Sequence, residues 1–484
     1  MSYIGVSPSD EFWRLLFNPD SVALVGASDV PGSWGFNIMQ RLIHTKNRRI
    51  YAVNPSHPIV AGMATYKSII DIPDKIELAV IAIPAVRVPQ VMRDCVQKGI
   101  TAAVVISGGF AEADDRGVEL QKEIVDIARQ GNMRFVGPNT MGHANNHGHF
   151  SILGFTGKVF TGPVSFAAQS GNMGSRIMQL GNSQGVGFSK FVCTGNEATL
   201  RLEDYLEFFA RDEDTKALVF YIEGLREAKR FLKLAKETTL KKPIVVMKSG
   251  STKSAMQAAR SHTGALAGSD EVYSAAFKQA GVIRAETEDE VADVLTGLVK
   301  QPLPKGNRIA ILTMGGGYGV VAAEACEKEG LKMASLSATT ISRLDSMLPA
   351  RWPHGNPVDL AGMDTMGDST VMQCLEALLE DEGVDALISL VGLTRATMMP
   401  PGLRAPDKSI TEARDQKLKE LSEKANRLGK TVLSVGHIPA LMPDTKTEED
   451  HSNGFAMFSG PQRAARVLHH MLWYRRYLDE KCRD

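Results

Sequence analysis

Short, almost uninterrupted apolar runs alternate along this chain with amphipathic stretches. Residues Ser21–Val25 (SVALV), 50–53, 78–83, 103–106 and 135–136 are such runs, and each gives way to glycine, proline, asparagine or serine. A strand covered on both faces needs apolar side chains at every position, whereas a half-exposed strand alternates. The runs therefore predict a parallel sheet with helices on both faces, one of them starting near residue 36. A second series follows at 162–167, 191–193, Ala217–Ile222 and 243–247, with helical patterns at 175–180 and 269–281. After a linker at 303–306, a third series comprises Arg308–Thr313, a helix at 320–329 closed by Gly330, and strands at 386–391 and 430–435. The strand at 430–435 is expected to be the last of the core, and the charged tail at 469–484 reads as a surface helix. The fold class is α/β, with three doubly wound domains at 1–150, 151–302 and 303–484, a division that suits 484 residues.

Composition narrows the function classes. Lys and Arg together number 55, as do Asp and Glu, so bulk charge does not draw the chain to nucleic acid. No run approaches the roughly 18 apolar residues of a membrane helix, so no membrane association is expected. The start, MSYIGVSPSDEF, lacks a basic region followed by an apolar core. The five cysteines are scattered without a CxxC. These features predict reduced thiols in a cytoplasmic protein.

The chemistry sits where strands end. After the first strand comes GASDVPGSWG (26–35) and then a helix, a geometry that holds phosphate on backbone N–H groups. Its glycines at 26, 32 and 35 do not make GxGxxG, and Asn54-Pro55 after the second strand offers no acid for a ribose. An NAD-binding Rossmann domain is thus the alternative rather than the first reading. Further on, Ser170 and Gly171 in QSGNMG open a helix and form a natural anion site, or a capped helix without a ligand. Glu223 ends the strand Ala217–Ile222. A carboxylate there can accept the N–H of a nearby imidazole, fix its tautomer and leave the other nitrogen free to attack; Glu197 is the second candidate for that task.

The imidazole in question is His262, inside KSGSTKSAMQAARSHTGALAGSD (248–270). On a loop of small residues it can serve as nucleophile, acid/base or ligand, or be a solvated loop histidine. No second His or Cys stands at ligand spacing, so no metal is assigned to this chain.

SHTGALAGS (261–269) resembles the phosphohistidine loop of the ADP-forming acyl-CoA synthetases, relatives of succinyl-CoA synthetase. The ordered set GAS, NP, IPA, SGGFAE and GPN resembles the CoA-binding domain of the same family, and GNEA (195–198) and YIEGL (221–225) resemble its acyl and phosphate loops. GGGYG (315–319) and NPVDL (356–360) resemble an additional flavodoxin-like domain, where a packing role competes with a second nucleotide pocket.

The resemblance covers nearly the whole chain and implies a Rossmann-like CoA-binding domain followed by two flavodoxin-like domains of succinyl-CoA-synthetase type. It implies that Gly26, Ser28, Asn54, Pro55, Ile83, Pro84, Ser107, Gly108 and Asn139 border CoA, and that Ser170, Gly171, Asn172, Gly195 and Asn196 form the phosphate and acyl site. His262 would carry the phosphoryl group, with Glu223 orienting it. The activity implied is the interconversion of acyl-CoA, ADP and phosphate with carboxylic acid, CoA and ATP. ATP or ADP with Mg²⁺ would sit on a partner, an ATP-grasp β subunit in a heterotetramer, because no GxxxxGK[ST] loop occurs here. Four positions depart from the commoner pattern: Thr140, Asn172, Thr199 and Tyr318. Asn172 and Thr199, expected near the acyl site, leave the acyl group open. A non-catalytic CoA-binding regulatory or scaffold protein is the alternative, and a carbamoyl-transferring relative a third; an intact His262 loop speaks against both.

Overall fold

The computed structural model describes residues 7–154, 159–252, 270–361, 369–391, 393, 408–436 and 454–482. The chain divides into two compact units, Met1–Gln179 with Gly187–Glu288, and Leu180–Val186 with Asp289–Asp484.

The first unit holds two sheets. One contains β1 (Ser21–Val25), β2 (Arg49–Val53), β3 (Ile59–Val60), β4 (Met63–Tyr66), β5 (Leu78–Ile81), β6 (Ala102–Val105) and β7 (Arg134–Val136). Their spatial order is β3-β4-β2-β1-β5-β6-β7. All neighbours run parallel except the β3–β4 pair. Without β3, the order is that of a Rossmann sheet, three strands on one side of the reversal and three on the other. β1, β5 and β6 are buried at every residue, as uninterrupted apolar runs require.

The second sheet contains β8 (His143–Asn145), β9 (Phe150–Ser151), β10 (Thr161–Ala168), β11 (Phe188–Cys193), β12 (Ala217–Ile222), β13 (Ile244–Lys248) and β14 (Ile283–Ala285), in the order β14-β13-β12-β10-β11-β8-β9. Its parallel strands follow the flavodoxin order, with the reversal between β10 and β12. The antiparallel hairpin β8–β9 extends it from β11. These two strands are too short and too polar to show periodicity, and the sequence reading did not include them.

A helix at Asp10–Phe17 was also missed. Ser9 caps it by accepting from the Phe12 N–H. It buries Phe12, Trp13, Leu15, Leu16 and Phe17, and Trp13 stacks on Phe208 with ring centroids 4.5 Å apart. His143, on β8, reaches the Leu16 carbonyl with Nε2 at 2.7 Å, so this helix is tied to the second sheet.

The second unit is built on β15 (Arg308–Thr313), β16 (Lys332–Met333), β17 (Val358–Asp359), β18 (Ala386–Ser389), β19 (Thr431–Val435) and β20 (Ala456–Phe458). The order β16-β15-β18-β19-β20, with β17 on β15, is again of flavodoxin type. Two expectations need correction. β20 follows β19 in the sheet, so residues 430–435 are not the last core strand. The C-terminal helix Pro461–Lys481 is no surface element: Val467, Leu468, Met471, Leu472, Tyr474 and Tyr477 are buried. Its charges mislead because they form a stripe along one side, where Arg463 pairs with Asp293 and His470 reaches Glu290 at 2.8 Å.

In NPVDL, Asn356 acts as a clamp. Its Nδ2 donates to the Ile309 and Ala334 carbonyls at 2.8 and 3.0 Å, and its Oδ1 accepts from the Ile311 N–H at 2.9 Å. The motif therefore stitches the edge of β15, a packing role.

Candidate active site

Open α/β sheets bind ligands at the carboxyl edge where successive connections diverge. In the second sheet that point lies between β10 and β12, and Gln169 and Glu223 stand immediately beyond the two strands. Gln169 bridges the gap. Its Oε1 accepts from the backbone N–H groups of Glu223 and Gly224 at 2.6 and 3.0 Å. Its Nε2 donates to the Gly224 carbonyl at 2.8 Å and to Oε1 of Glu197 at 3.1 Å. A primary amide has two donors and two acceptor positions, and here all four are in use.

Glu197 sits on the loop after β11. Gly195 turns that loop with φ 59°, and a Cβ there would lie 2.2 Å from the Pro138 carbonyl oxygen, so only glycine fits. The N–H groups of Asn196 and Ala198 donate to Pro138 and Gly137 at 2.9 and 3.1 Å, which binds the loop to the end of the first sheet. Glu197 itself adopts φ 55° and is only 3% exposed. Its Oε1 also accepts from the Thr194 hydroxyl at 2.9 Å. Burial, and then the nearby Glu203 carboxyl, push its pKa up to about 8. The carboxyl is therefore largely neutral at neutral pH, with Oε1 occupied as an acceptor and Oε2 left to hold the proton.

These loops enclose a cavity of about 840 Å³. Of the residues singled out from sequence, Glu223, Ser170, Gly171, Asn172, Gly195 and Asn196 line it, and Gly108 and Asn139 join them from the first sheet. Asn139 and Asn196 meet directly, Nδ2 to Oδ1 at 3.4 Å. Ser170 accepts from the Met173 N–H at 3.5 Å at the start of the helix Gly171–Ser183. The remaining set, Gly26, Ser28, Asn54, Pro55, Ile83, Pro84 and Ser107, runs along the carboxyl edge of the first sheet and does not line this cavity. Asn54 holds the Ala27 carbonyl at 2.8 Å, and Gly26 approaches β5 so closely that a Cβ would fall 2.3 Å from the Ala82 carbonyl oxygen. Ser107 accepts from the Ile83 N–H at 3.2 Å, and its carbonyl accepts from the Asn139 N–H at 2.8 Å. A Cβ on Gly32 would meet nothing within 4 Å, and on Gly108 it would meet the Asn139 and Glu112 side chains at 3.3 Å.

His262 lies outside the described residues. The chain enters that segment after β13, whose last residue, Lys248, pairs in register with Ile222, the neighbour of Glu223. Thr199, expected near the acyl site, turns away: its hydroxyl accepts from the Phe135 N–H at 2.8 Å and donates to the Phe135 carbonyl at 2.7 Å. Among the described residues no group of three or more His, Cys, Asp or Glu side chains could hold a metal ion. None of the described helices is long and apolar enough to cross a membrane.

Residues 20–146 match the family model of a CoA binding domain, and residues 161–298 that of a succinyl-CoA ligase like flavodoxin domain. Over 449 residues the chain is 36% identical to the alpha subunit of ADP-forming acetate–CoA ligase II of Pyrococcus furiosus, covering 93% of this chain and 95% of that one. The chain belongs to the ADP-forming acetate–CoA ligase family. It is 43% identical over 346 residues to an ADP-forming acetate–CoA ligase of Methanocaldococcus jannaschii, covering 71% of this chain and 48% of that protein. It thus spans almost all of the first relative and about half of the second. The structure of acetyl-coenzyme A synthetase 1 from Ca. Korarchaeum cryptofilum, solved with phosphate and ADP, superimposes with a TM-score of 0.81 at 29% identity, covering 97% of this chain and 99% of that one.

The family matches cover domains and single out no residue, and the cavity holds residues that the motifs did not. Gln169 was visible in the sequence only as the first letter of QSGNMG, and Arg226 as the third residue beyond Glu223. Trp34 and Met141 also line the cavity. Met141 covers Gly171, where a Cβ would lie 2.1 Å from its sulfur. The signal that finds Gln169 is positional: it is the first side chain beyond the strand at the reversal.

Proposed function

We propose that this chain is the CoA-binding, phosphoryl-accepting α part of an ADP-forming acyl-CoA synthetase, and that the cavity at the β10–β12 reversal is its reaction centre. The observation that carries the reading is a convergence. Glu223, the helix start at Ser170 and Gly171, and Gly108 and Asn139 of the CoA-binding domain share one cavity, one strand away from where the His262 segment leaves the sheet.

CoA would lie along the ledge bordered by Gly26, Ser28, Asn54, Pro55, Ile83, Pro84 and Ser107, with its thioester end at Gly108 and Asn139. Phosphate, as HPO₄²⁻, attacks the thioester carbonyl; the C–S bond breaks, and the phosphate proton leaves with the thiolate as CoA-SH, giving acyl phosphate. The N–H groups at Ser170 and Gly171 favour the charge that gathers on oxygen. His262 then attacks phosphorus through the nitrogen opposite Glu223, and the carboxylate departs with the P–O electrons. Glu223 holds the other ring N–H as the imidazole becomes cationic. Positioning and neutralisation are what phosphoryl transfer demands.

The phosphoryl group would pass to ADP with Mg²⁺ on an ATP-grasp β subunit, in a heterotetramer. Asn172 lines the cavity and is the residue through which the acyl group is selected, whereas Thr199 has no part in it.

Labelled ATP with Mg²⁺ and the partner subunit tests the reading. An acid-labile, base-stable adduct should form, and His262→Ala should abolish it. Glu223→Gln should slow labelling by about 10²-fold with CoA binding unchanged. Label persisting in the His262 variant rejects the assignment.

A further inference from the structure

Besides the thiol of Cys193, four ionisable side chains line the cavity among the described residues: Glu112, Glu197, Glu223 and Arg226. Three are acids, yet the proposed reaction brings a dianion among them. Glu112 is committed to the protein, accepting from the Gly109 and Phe110 N–H groups at 2.6 and 3.2 Å and from Asn196 Nδ2 at 2.5 Å. Glu197 is buried and largely neutral.

Arg226 differs from its neighbours in how little it is used. Arg230 binds Asp204 and Glu207, each at 2.7 Å, and Arg201 binds Glu227 at 2.7 Å. Arg226 instead docks one nitrogen, Nη2, on the Asn196 carbonyl at 2.9 Å. Its Nε stands 4.0 Å from Oε2 of Glu197, beyond hydrogen-bond range. Nη1 has no hydrogen-bond partner among the described residues, and the side chain is 48% exposed. A neutral Glu197 does not hold the guanidinium in a full ion pair. Among the described residues the cation is therefore anchored at one corner, and it lines the cavity.

We propose that Arg226 binds the phosphate that enters this cavity and the acyl phosphate formed from it, working opposite the helix start at Ser170 and Gly171. The inference rests on the functional reading above and adds the residue that neutralises the transferred group. A planar guanidinium pairs two N–H groups with two phosphate oxygens, a match that an ammonium cannot make. The docked Nη2 explains why the charge is held at the rim rather than swinging into solvent.

The test uses the full chain and inorganic phosphate. Calorimetric titration should show phosphate binding to the wild type, weakened about tenfold or more by Arg226→Gln, as loss of a charge-assisted pair implies. CoA affinity should stay within about twofold, since its phosphates lie on other loops. Arg226→Lys should fall between the two. Equal phosphate affinity in wild type and Arg226→Gln, or no phosphate binding by the wild type, overturns the inference. So does a kinetic effect, in the chain assembled with its partner, on the KM for the carboxylic acid rather than that for phosphate. The wider functional reading fails by a separate observation: no release of free thiol by the wild-type assembly from any member of a panel of aliphatic and aromatic acyl-CoAs given phosphate.

Discussion

Gln169 donates to the buried Glu197 at 3.1 Å while its other amide atom accepts from the backbone of Glu223 at 2.6 Å. One side chain thus fixes the relative positions of two of the three acids of the cavity. Glu197 rides on the loop after β11 and Glu223 on the loop after β12, so the amide joins two loops. An amide suits the place because it can donate to a carboxyl and accept from peptides at once.

Gln169→Leu should therefore loosen the loop that carries Glu223 without emptying the site. Phosphorylation should slow by about 10- to 10²-fold, the scale of losing orientation rather than a reacting group. The KM for CoA should hold. Rapid-quench labelling with the partner subunit, alongside CoA titration, separates the two parameters. An equal fall in CoA affinity would mean general damage to the fold and would reject the positioning role.

The pKa of Glu197 makes stability depend on pH. In the unfolded chain the carboxyl titrates near its ordinary value of about 4.3, and in the fold at about 8. Between these values the folded state binds more protons. The stabilising contribution is complete below the lower value and is lost as pH rises through the upper one. Glu197→Gln retains an acceptor for Thr194 and Gln169 but cannot ionise. Relative to wild type, this variant should become steadily more stable from pH 5 to pH 8.5, by at most about 1.4 kcal/mol per pH unit in that window. Thermal unfolding of both proteins across the range reads the difference, and parallel pH profiles would refute it.

The sequence disclosed the sheets because a doubly covered strand leaves little choice of residue. SVALV and ALVFYI could be placed from composition alone, and both are buried throughout. It concealed elements whose stability comes from distant partners. The strand HAN (143–145) is defined by pairing with β11 and by the hold of His143 on Leu16, neither of which leaves a local pattern. The helix Pro461–Lys481 hid its buried side among arginines that face acids far away in sequence. In the cavity, motif letters located Ser170, Gly171 and Glu223. The neutrality of Glu197 and the single hydrogen bond of Arg226 among the described residues depend on burial and on the path of the loops, and these exist only once loops from two sheets meet.

Asn356 provides a test in the second unit. Asn356→Ala removes three hydrogen bonds to backbone groups of Ile309, Ile311 and Ala334. A hydrogen bond contributes about 0.5–1.5 kcal/mol net, so the third sheet should lose about 2–4 kcal/mol of local stability. Native-state hydrogen exchange should show the Ile311 amide opening sooner, with amides of β1 and β12 unaffected. Faster exchange spread evenly over all three sheets would show that the clamp serves more than its own sheet.

The last prediction concerns the division of labour. ATP chemistry needs cations for the phosphates and acids for Mg²⁺. The sequence carries no GxxxxGK[ST] loop for those phosphates, and Arg226, by our proposal, serves inorganic phosphate. The 484-residue chain should therefore bind CoA and phosphate by itself, yet make no ATP from acyl-CoA, phosphate and ADP. Thioester cleavage to acyl phosphate should be detectable without a partner, because every group assigned to that step stands on this chain. Adding an ATP-grasp subunit of the same family should restore ATP synthesis, and His262→Ala should abolish it while leaving CoA binding intact. Luciferase detection of ATP and thiol titration of released CoA, run on the same samples, distinguish the two half-reactions. Sustained ATP formation by the pure chain would place a nucleotide site within it and end the case for a separate subunit.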